Sequence, residues 1–299
     1  MSELLKHDYM NVNNVRIHYT TSGSGELVLL LHGFPEFWYS WRNQIPVLSK
    51  HFKVIAPDLR GYNESGKPPG LKNYSNSILV QDIKDMITAQ GEKKAVIVGH
   101  DWGGAIAWNL AMMAPDYVKK LVILNCPHPV ALIEAFVSMR IRQLQKSWYI
   151  FFFQLPELPE KVLSQDNFEF LKKLLVSSAI NRKAFTEDDL QKYVEAWSKP
   201  GALTASINYY RTNMNVAQIL ALSNDQRALL MKRYQKVRCP TLVIWGEDDA
   251  ALDKSLTIGM DKYVEGPYEI KYIQKCGHWV QQEEAEKVNR YLLEFLTKI

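Results

Sequence analysis

No stretch of the 299-residue sequence comes near the run of about 18 consecutive apolar positions that a membrane-crossing helix needs, so no integral membrane segment is expected. Cysteine is scarce. Cys126, Cys239 and Cys276 are odd in number and lack paired spacing, which argues against a disulfide framework or a zinc cluster and leaves buried free thiols as the expectation. Basic residues form no block: 36 Lys and Arg are interspersed with 32 Asp and Glu for a net charge of +4, so nothing tracks phosphates and nucleic acid is not an expected partner. Met1 to Asp8 lacks the basic-then-apolar order of a secretion signal, and the expected setting is a soluble, reducing, cytoplasmic one. Internal repeats and low-complexity tracts are absent too.

What is present suits an ordinary globular chain, 47% hydrophobic and 23% charged, with material for one large core and a substantial insertion. From Asp8 to Thr20 two short strands flank Asn13 and Asn14, residues that tolerate the positive φ of a tight hairpin. Leu27 to Leu31, Val54 to Ala56, Ala95 to Val98, Leu121 to Leu124 and Thr241 to Trp245 are continuously apolar, as strands buried on both faces must be. Helical spacing lies between them, as in Leu79, Ile83, Met86 and Ile87, and again at the end in Val288, Tyr291, Leu292, Phe295 and Leu296. The alternation predicts an α/β fold with a mostly parallel central sheet flanked by helices. From Val130 to Lys236 strand signals vanish and helix-compatible runs are punctuated by Pro156, Pro159, Pro200 and Gly201. The expected organisation is a core of 1–129 and 237–299 with a helical cap, 130–236, inserted into it.

After the strand at Ala95 come Gly99, His100, Asp101, Trp102, Gly103 and Gly104, then a helical run. The spacing is that of a nucleophile elbow, with aspartate where serine usually stands. A carboxylate attacking a saturated carbon forms an ester that water can later cleave, whereas a serine would form an unreactive ether. A plainer role for Asp101 is that of a helix N-cap.

Gly99 to Gly104, taken with the residues below, resembles the epoxide hydrolases of the α/β-hydrolase fold and, next to them, the haloalkane dehalogenases; the resemblance spans nearly the whole chain. It implies an ether-bond hydrolase that opens apolar epoxides with water to vicinal diols, requires no cofactor or metal, and works as a monomer or homodimer. His32, Gly33, Phe34 and Pro35 follow the first buried strand, so the N–H groups of Phe34 and Trp102 are the expected oxyanion donors. His278, in Cys276–Gly277–His278–Trp279, falls last in the order nucleophile, acid, histidine and is the expected base. The acid falls on Asp249 by the family's Trp-Gly-x-x-Asp pattern, with Asp248 as the alternative. Two cap segments, around Tyr149 and Tyr210, resemble those that carry the family's paired acidic tyrosines; Tyr209 sits beside the second, and plain aromatic packing is the competing role.

The expected pocket wall comprises His32, Pro35, Phe37, Trp38, Trp148 and Trp279, although His32 alone reads as a hydrogen-bonded structural histidine. A haloalkane or haloacid dehalogenase would use the same aspartate, but Phe34, Asn125 and Trp102 stand where many of those enzymes carry asparagine, an acid and arginine. A non-catalytic ligand-binding module of the same fold is the alternative outside enzymes. Asn63 occupies a loop position where the family commonly has glycine, and a retained positive-φ turn is expected there.

Overall fold

Asn13 and Asn14, at φ of 46° and 60°, fold the first strand, β1 (Lys6–Val12), back on β2 (Val15–Ser22), pairing Val12 with Val15. Both side chains are of the type that visits the left-handed region, and adjacent positive φ values are what a two-residue hairpin turn requires. The computed structural model describes residues 5–223, 225–226 and 234–298.

The remaining strands are β3 (Leu27–Leu31), β4 (Lys53–Pro57), β5 (Ala95–His100), β6 (Val118–Leu124), β7 (Thr241–Gly246) and β8 (Tyr268–Ile273). They form one eight-stranded sheet in the order β1-β2-β4-β3-β5-β6-β7-β8, antiparallel as far as the β2–β4 pair and parallel from β4 onward. Every residue of β3, β5 and β7 is buried, which is why these strands read as unbroken apolar runs. The chain leaves β3 for β4 on one side, then crosses to β5 on the other. The loops beyond β3 and β5 therefore diverge at the carboxyl edge and leave a crevice between them.

Helices cover both faces. Asn76–Ala89 buries Leu79, Ile83, Met86 and Ile87 against one side. The closing helix Ala285–Thr297 buries Val288, Leu292, Phe295 and Leu296 against the other. Each such side chain contributes about 1.5–3 kcal/mol relative to exposure. Asn63 does turn at φ 38°, and its amide donates to Asp58 Oδ2 at 2.8 Å.

Between β6 and β7 the described residues hold helices and no strand, from Pro129–Val137 through Trp148–Phe152, Leu158–Ser178 with a kink of non-helical backbone at Gln165, Asp166, Asn167 and Phe168, Glu187–Trp197 and Ala202–Asn213 to Val216–Ala221. The expected segment 130–236 also includes residues 224 and 227–233, which lie outside the described residues. Pro159 begins Leu158–Ser178 where no intrahelical N–H is needed, and Gly201, at φ 78°, precedes Ala202–Asn213. Among the polar bonds that fasten the insertion to the sheet layer are Trp197 Nε1 to Pro35 O at 2.6 Å, Tyr209 Oη to Arg60 O at 2.7 Å, and Arg42 Nη2 to Ala184 O at 2.9 Å. Among the described residues no helix is long and apolar enough to cross a membrane, and all three cysteines are free and buried.

Candidate active site

Asp101 stands at the bend between β5 and the helix Trp102–Met113, at φ 49° and ψ −119°. The bend is possible only because its neighbours lack side chains. A Cβ on Gly103 would lie 2.1 Å from Leu31 O, and one on Gly33 would lie 2.4 Å from Asp101 Cβ. Asp101 occupies the position preceding the helix, yet its side chain makes no capping hydrogen bond. Instead Oδ1 accepts the Phe34 N–H at 2.8 Å, and Oδ2 faces His278 Nε2 at 3.6 Å.

On the far side of the ring, His278 Nδ1 lies 2.7 Å from Asp249 Oδ2. Asp249, rather than Asp248, is thus the carboxylate that reaches the imidazole. Its Oδ1 accepts the N–H groups of Ala251 and Leu252 at 2.7 and 2.8 Å, and Asn125 Nδ2 donates to Oδ2 at 2.7 Å. Asn125 Oδ1 in turn accepts the Gly246 N–H at 2.8 Å, so one side chain ties the ends of β6 and β7 together behind the acid. Burial alone would raise the Asp249 pKa, but the charge and hydrogen bond of His278, with the other donors, hold it below the usual value. Burial would likewise lower the pKa of His278. The charge of Asp249 and the hydrogen bond and charge of Asp101 overcome that, leaving it well above the ordinary histidine value.

Beneath His278 lies a buried polar network that the sequence did not disclose. His100 places Nδ1 2.8 Å from Glu36 Oε2 and Nε2 2.9 Å from the carbonyl oxygen of His278. Glu36 also accepts from Tyr193 Oη at 3.3 Å and from Gln282 Nε2 at 2.5 Å. Burial pushes the Glu36 carboxyl up, but the charge and hydrogen bond of His100, with hydrogen bonds from Ser40 and Gln282, bring it down to about 2.

Above the carboxylate is a cavity of about 160 Å³, walled on the insertion side by Trp148, Tyr149, Phe152, Phe153, Leu163, Phe170, Leu174 and Tyr210. Phe34, Asp101, His278, Trp279, Ala250 and Ala251 complete it from below, with Lys146 and Ser178 at its edges. Tyr149 and Tyr210 meet edge-to-face with ring centroids 5.8 Å apart, and Tyr210 packs the same way on Trp102 at 5.0 Å. Burial first, and the negative charge of Asp101 second, push both phenols well above the usual tyrosine pKa. Tyr209 points away, committed to Arg60 O.

Four residues expected on the pocket wall lie elsewhere. His32 is a buried brace: Nδ1 donates to Gly33 O at 2.9 Å while Nε2 accepts the Leu59 N–H at 3.0 Å, and burial lowers its pKa. Pro35 turns its carbonyl to the Trp197 indole. Phe37 packs on Tyr193 at 5.3 Å, and with Trp38 it lines a separate surface depression beside His7 and His18. Beyond Phe34 the chain leaves the cavity wall, and Glu36 lies against His100. Trp148 and Trp279 do line the cavity, and Trp148, 52% exposed, stands at its mouth.

A carboxylate at a strand-to-helix bend, facing a histidine oriented by a second carboxylate at the carboxyl edge of such a sheet, defines a hydrolase of the α/β class. A family model described as the alpha/beta hydrolase fold matches residues 26–285. The chain is 39% identical over 298 residues to epoxide hydrolase 4 of Homo sapiens, covering 97% of this chain and 78% of that protein. It is 38% identical over 296 residues to an AB hydrolase superfamily protein of Bacillus subtilis, covering 98% of each. The crystal structure of a Bacillus megaterium epoxide hydrolase in complex with an inhibitor superposes with a TM-score of 0.88 at 33% identity, covering 97% of this chain and 100% of that one. The chain belongs to the epoxide hydrolases of the alpha/beta hydrolase fold.

Proposed function

We propose that this enzyme converts apolar epoxides to vicinal diols through a covalent ester on Asp101, with the helical segment 130–236 acting as a cap over a core formed by 1–129 and 237–299. The observation that carries the reading is a carboxylate that neither caps its helix nor, among the described residues, pairs with a cation other than His278, set under two phenols that line the same cavity. In the first step an Asp101 oxygen bonds to an epoxide carbon and the ring C–O bond breaks. Tyr149 and Tyr210 hold the epoxide oxygen, and one of them passes its proton to the departing alkoxide.

Esterification removes the negative charge of Asp101 and with it part of the pull that keeps His278 protonated. His278 then releases its proton toward the phenolate through the cavity and becomes the neutral base that the second step needs. Water adds to the ester carbonyl as His278 takes its proton, and Asp249 stabilises the imidazolium. The oxyanion is held by the Phe34 N–H, already on Oδ1, and by the Trp102 N–H on the first turn of the helix. Collapse expels the diol oxygen, which takes a proton from His278, and the carboxyl proton left on Asp101 passes to His278, restoring the carboxylate and the imidazolium.

A cavity of about 160 Å³ is close to the ~150 Å³ of an apolar cavity that accommodates benzene, so a single aryl ring or a short alkyl chain on the epoxide is the substrate size that fits without opening the cap. The reading is tested with His278→Gln. Ring opening continues, the ester accumulates to nearly one per enzyme, and kcat falls about 100- to 1000-fold. Intact-protein mass after an acid quench reads the adduct, and a His278→Gln enzyme that turns over without accumulating one contradicts the scheme.

A further inference from the structure

Glu283 is 5% exposed and forms no ion pair among the described residues. Its carboxylate divides its two oxygens between two parts of the molecule. Oε1 accepts the N–H groups of Gly277 at 3.1 Å and Trp279 at 3.2 Å, the residues on either side of His278. Oε2 accepts those of Ile180 at 2.8 Å and Asn181 at 3.0 Å, just beyond the helix Leu158–Ser178, as well as Gly277 at 3.2 Å. Asn181 Nδ2 adds a bond to the Glu283 carbonyl at 3.2 Å. A Cβ on Gly277 would lie 2.8 Å from Oε1, so the residue before His278 is small where the carboxylate sits.

Every one of these partners is a backbone or side-chain donor, so both carboxyl oxygens are taken up by N–H groups. The histidine loop and the insertion therefore share one buried carboxyl group, at the point where Ser178 also receives the Trp279 indole at 2.8 Å. We propose that Glu283 is a positioning residue that fixes the His278 loop against the insertion and thereby sets the rate of ester hydrolysis. The proposal rests on the aspartyl-ester reading above.

Glu283→Gln separates the two sides. The amide oxygen takes the Oε2 place, where the bonds are shorter, which turns the NH₂ toward the Gly277 and Trp279 N–H groups and slackens the histidine loop. With an aryl epoxide, kcat is expected to fall at least ~10-fold and KM in parallel, leaving kcat/KM within about twofold, while the acid-quenched enzyme carries the ester as its main steady-state form. Asn181→Pro works from the other side. It deletes insertion donors at an exposed residue whose φ of −86° is near that of proline. It is expected to lower kcat at least ~3-fold and to raise the adduct fraction, and it decides the matter alone if Glu283→Gln does not fold. Wild-type kcat and adduct level in Glu283→Gln, or equal losses of kcat and kcat/KM with no added ester, overturn the proposal, as do unchanged kcat and adduct fraction in Asn181→Pro. Wild-type enzyme that turns over with no detectable ester overturns the ester reading and this inference with it, whereas a wild-type ester unaffected by Glu283→Gln overturns the inference alone.

Discussion

Asp101→Ala is expected to lower diol formation by at least about 10⁵-fold, some 7 kcal/mol of barrier, the scale of removing a nucleophile from other covalent hydrolases. The loss is steep because no other group replaces the missing carboxylate. His278 faces Asp101 across 3.6 Å and is held on its other side by Asp249, so water activated there would meet the epoxide without a preformed line of attack. Neither Glu36 nor Glu283 substitutes, since each is buried and saturated with donors. Initial rates of diol release at high enzyme concentration, with a thermal melt showing the variant folded, measure the effect. A rate within about a hundredfold of wild type would place the chemistry elsewhere.

The second large effect concerns the roof. Tyr149→Phe combined with Tyr210→Phe removes both hydroxyls while keeping the rings that pack at 5.8 Å from each other and at 5.0 Å from Trp102. Ring opening is expected to slow on the order of 10⁴-fold, because the departing alkoxide then has no acid. Hydrolysis of an ester already formed should be nearly unchanged. The same phenols define the alkaline behaviour. Burial and the Asp101 charge favour the neutral form, so the proton needed for catalysis is lost only as pH rises past a value well above 10. Ring opening in the wild type should therefore hold its rate up to about pH 10, as stopped-flow tryptophan fluorescence would follow. Near-normal ring opening in the double variant would return both tyrosines to a packing role.

The elbow was legible because its requirements are local. A bend at φ 49° with Gly103 against Leu31 leaves a signature of small residues at fixed spacing around one polar side chain. The buried strands were legible for a similar reason, since burial on two faces removes alternation from the sequence. The pocket wall was read less well. Phe37 and Trp38 sit two and three residues beyond the Phe34–Pro35 turn, but their direction depends on Trp197, Tyr193 and His100, all distant in sequence.

Long-range polar pairs were hidden for the same reason. Glu36 and His100 are 64 residues apart, His100 and the His278 carbonyl 178, and Asn125 and Asp249 124. A buried glutamate such as Glu283 looks, in one dimension, like any surface residue of an amphipathic stretch. A near clue did exist for one of them: His100 adjoins Asp101 inside a strand otherwise apolar, and a buried polar residue needs partners.

The central claim is a covalent bond between Asp101 and a substrate carbon, and the source of the new diol oxygen tests it most directly. A single turnover of a simple aryl epoxide, with enzyme in excess in ¹⁸O-enriched water, is predicted to release diol whose new oxygen is light, taken from the Asp101 carboxylate. The heavy oxygen should be left behind in the peptide that contains residue 101. Diol that carries the full heavy label in that first turnover, with no label in the protein, would contradict the account.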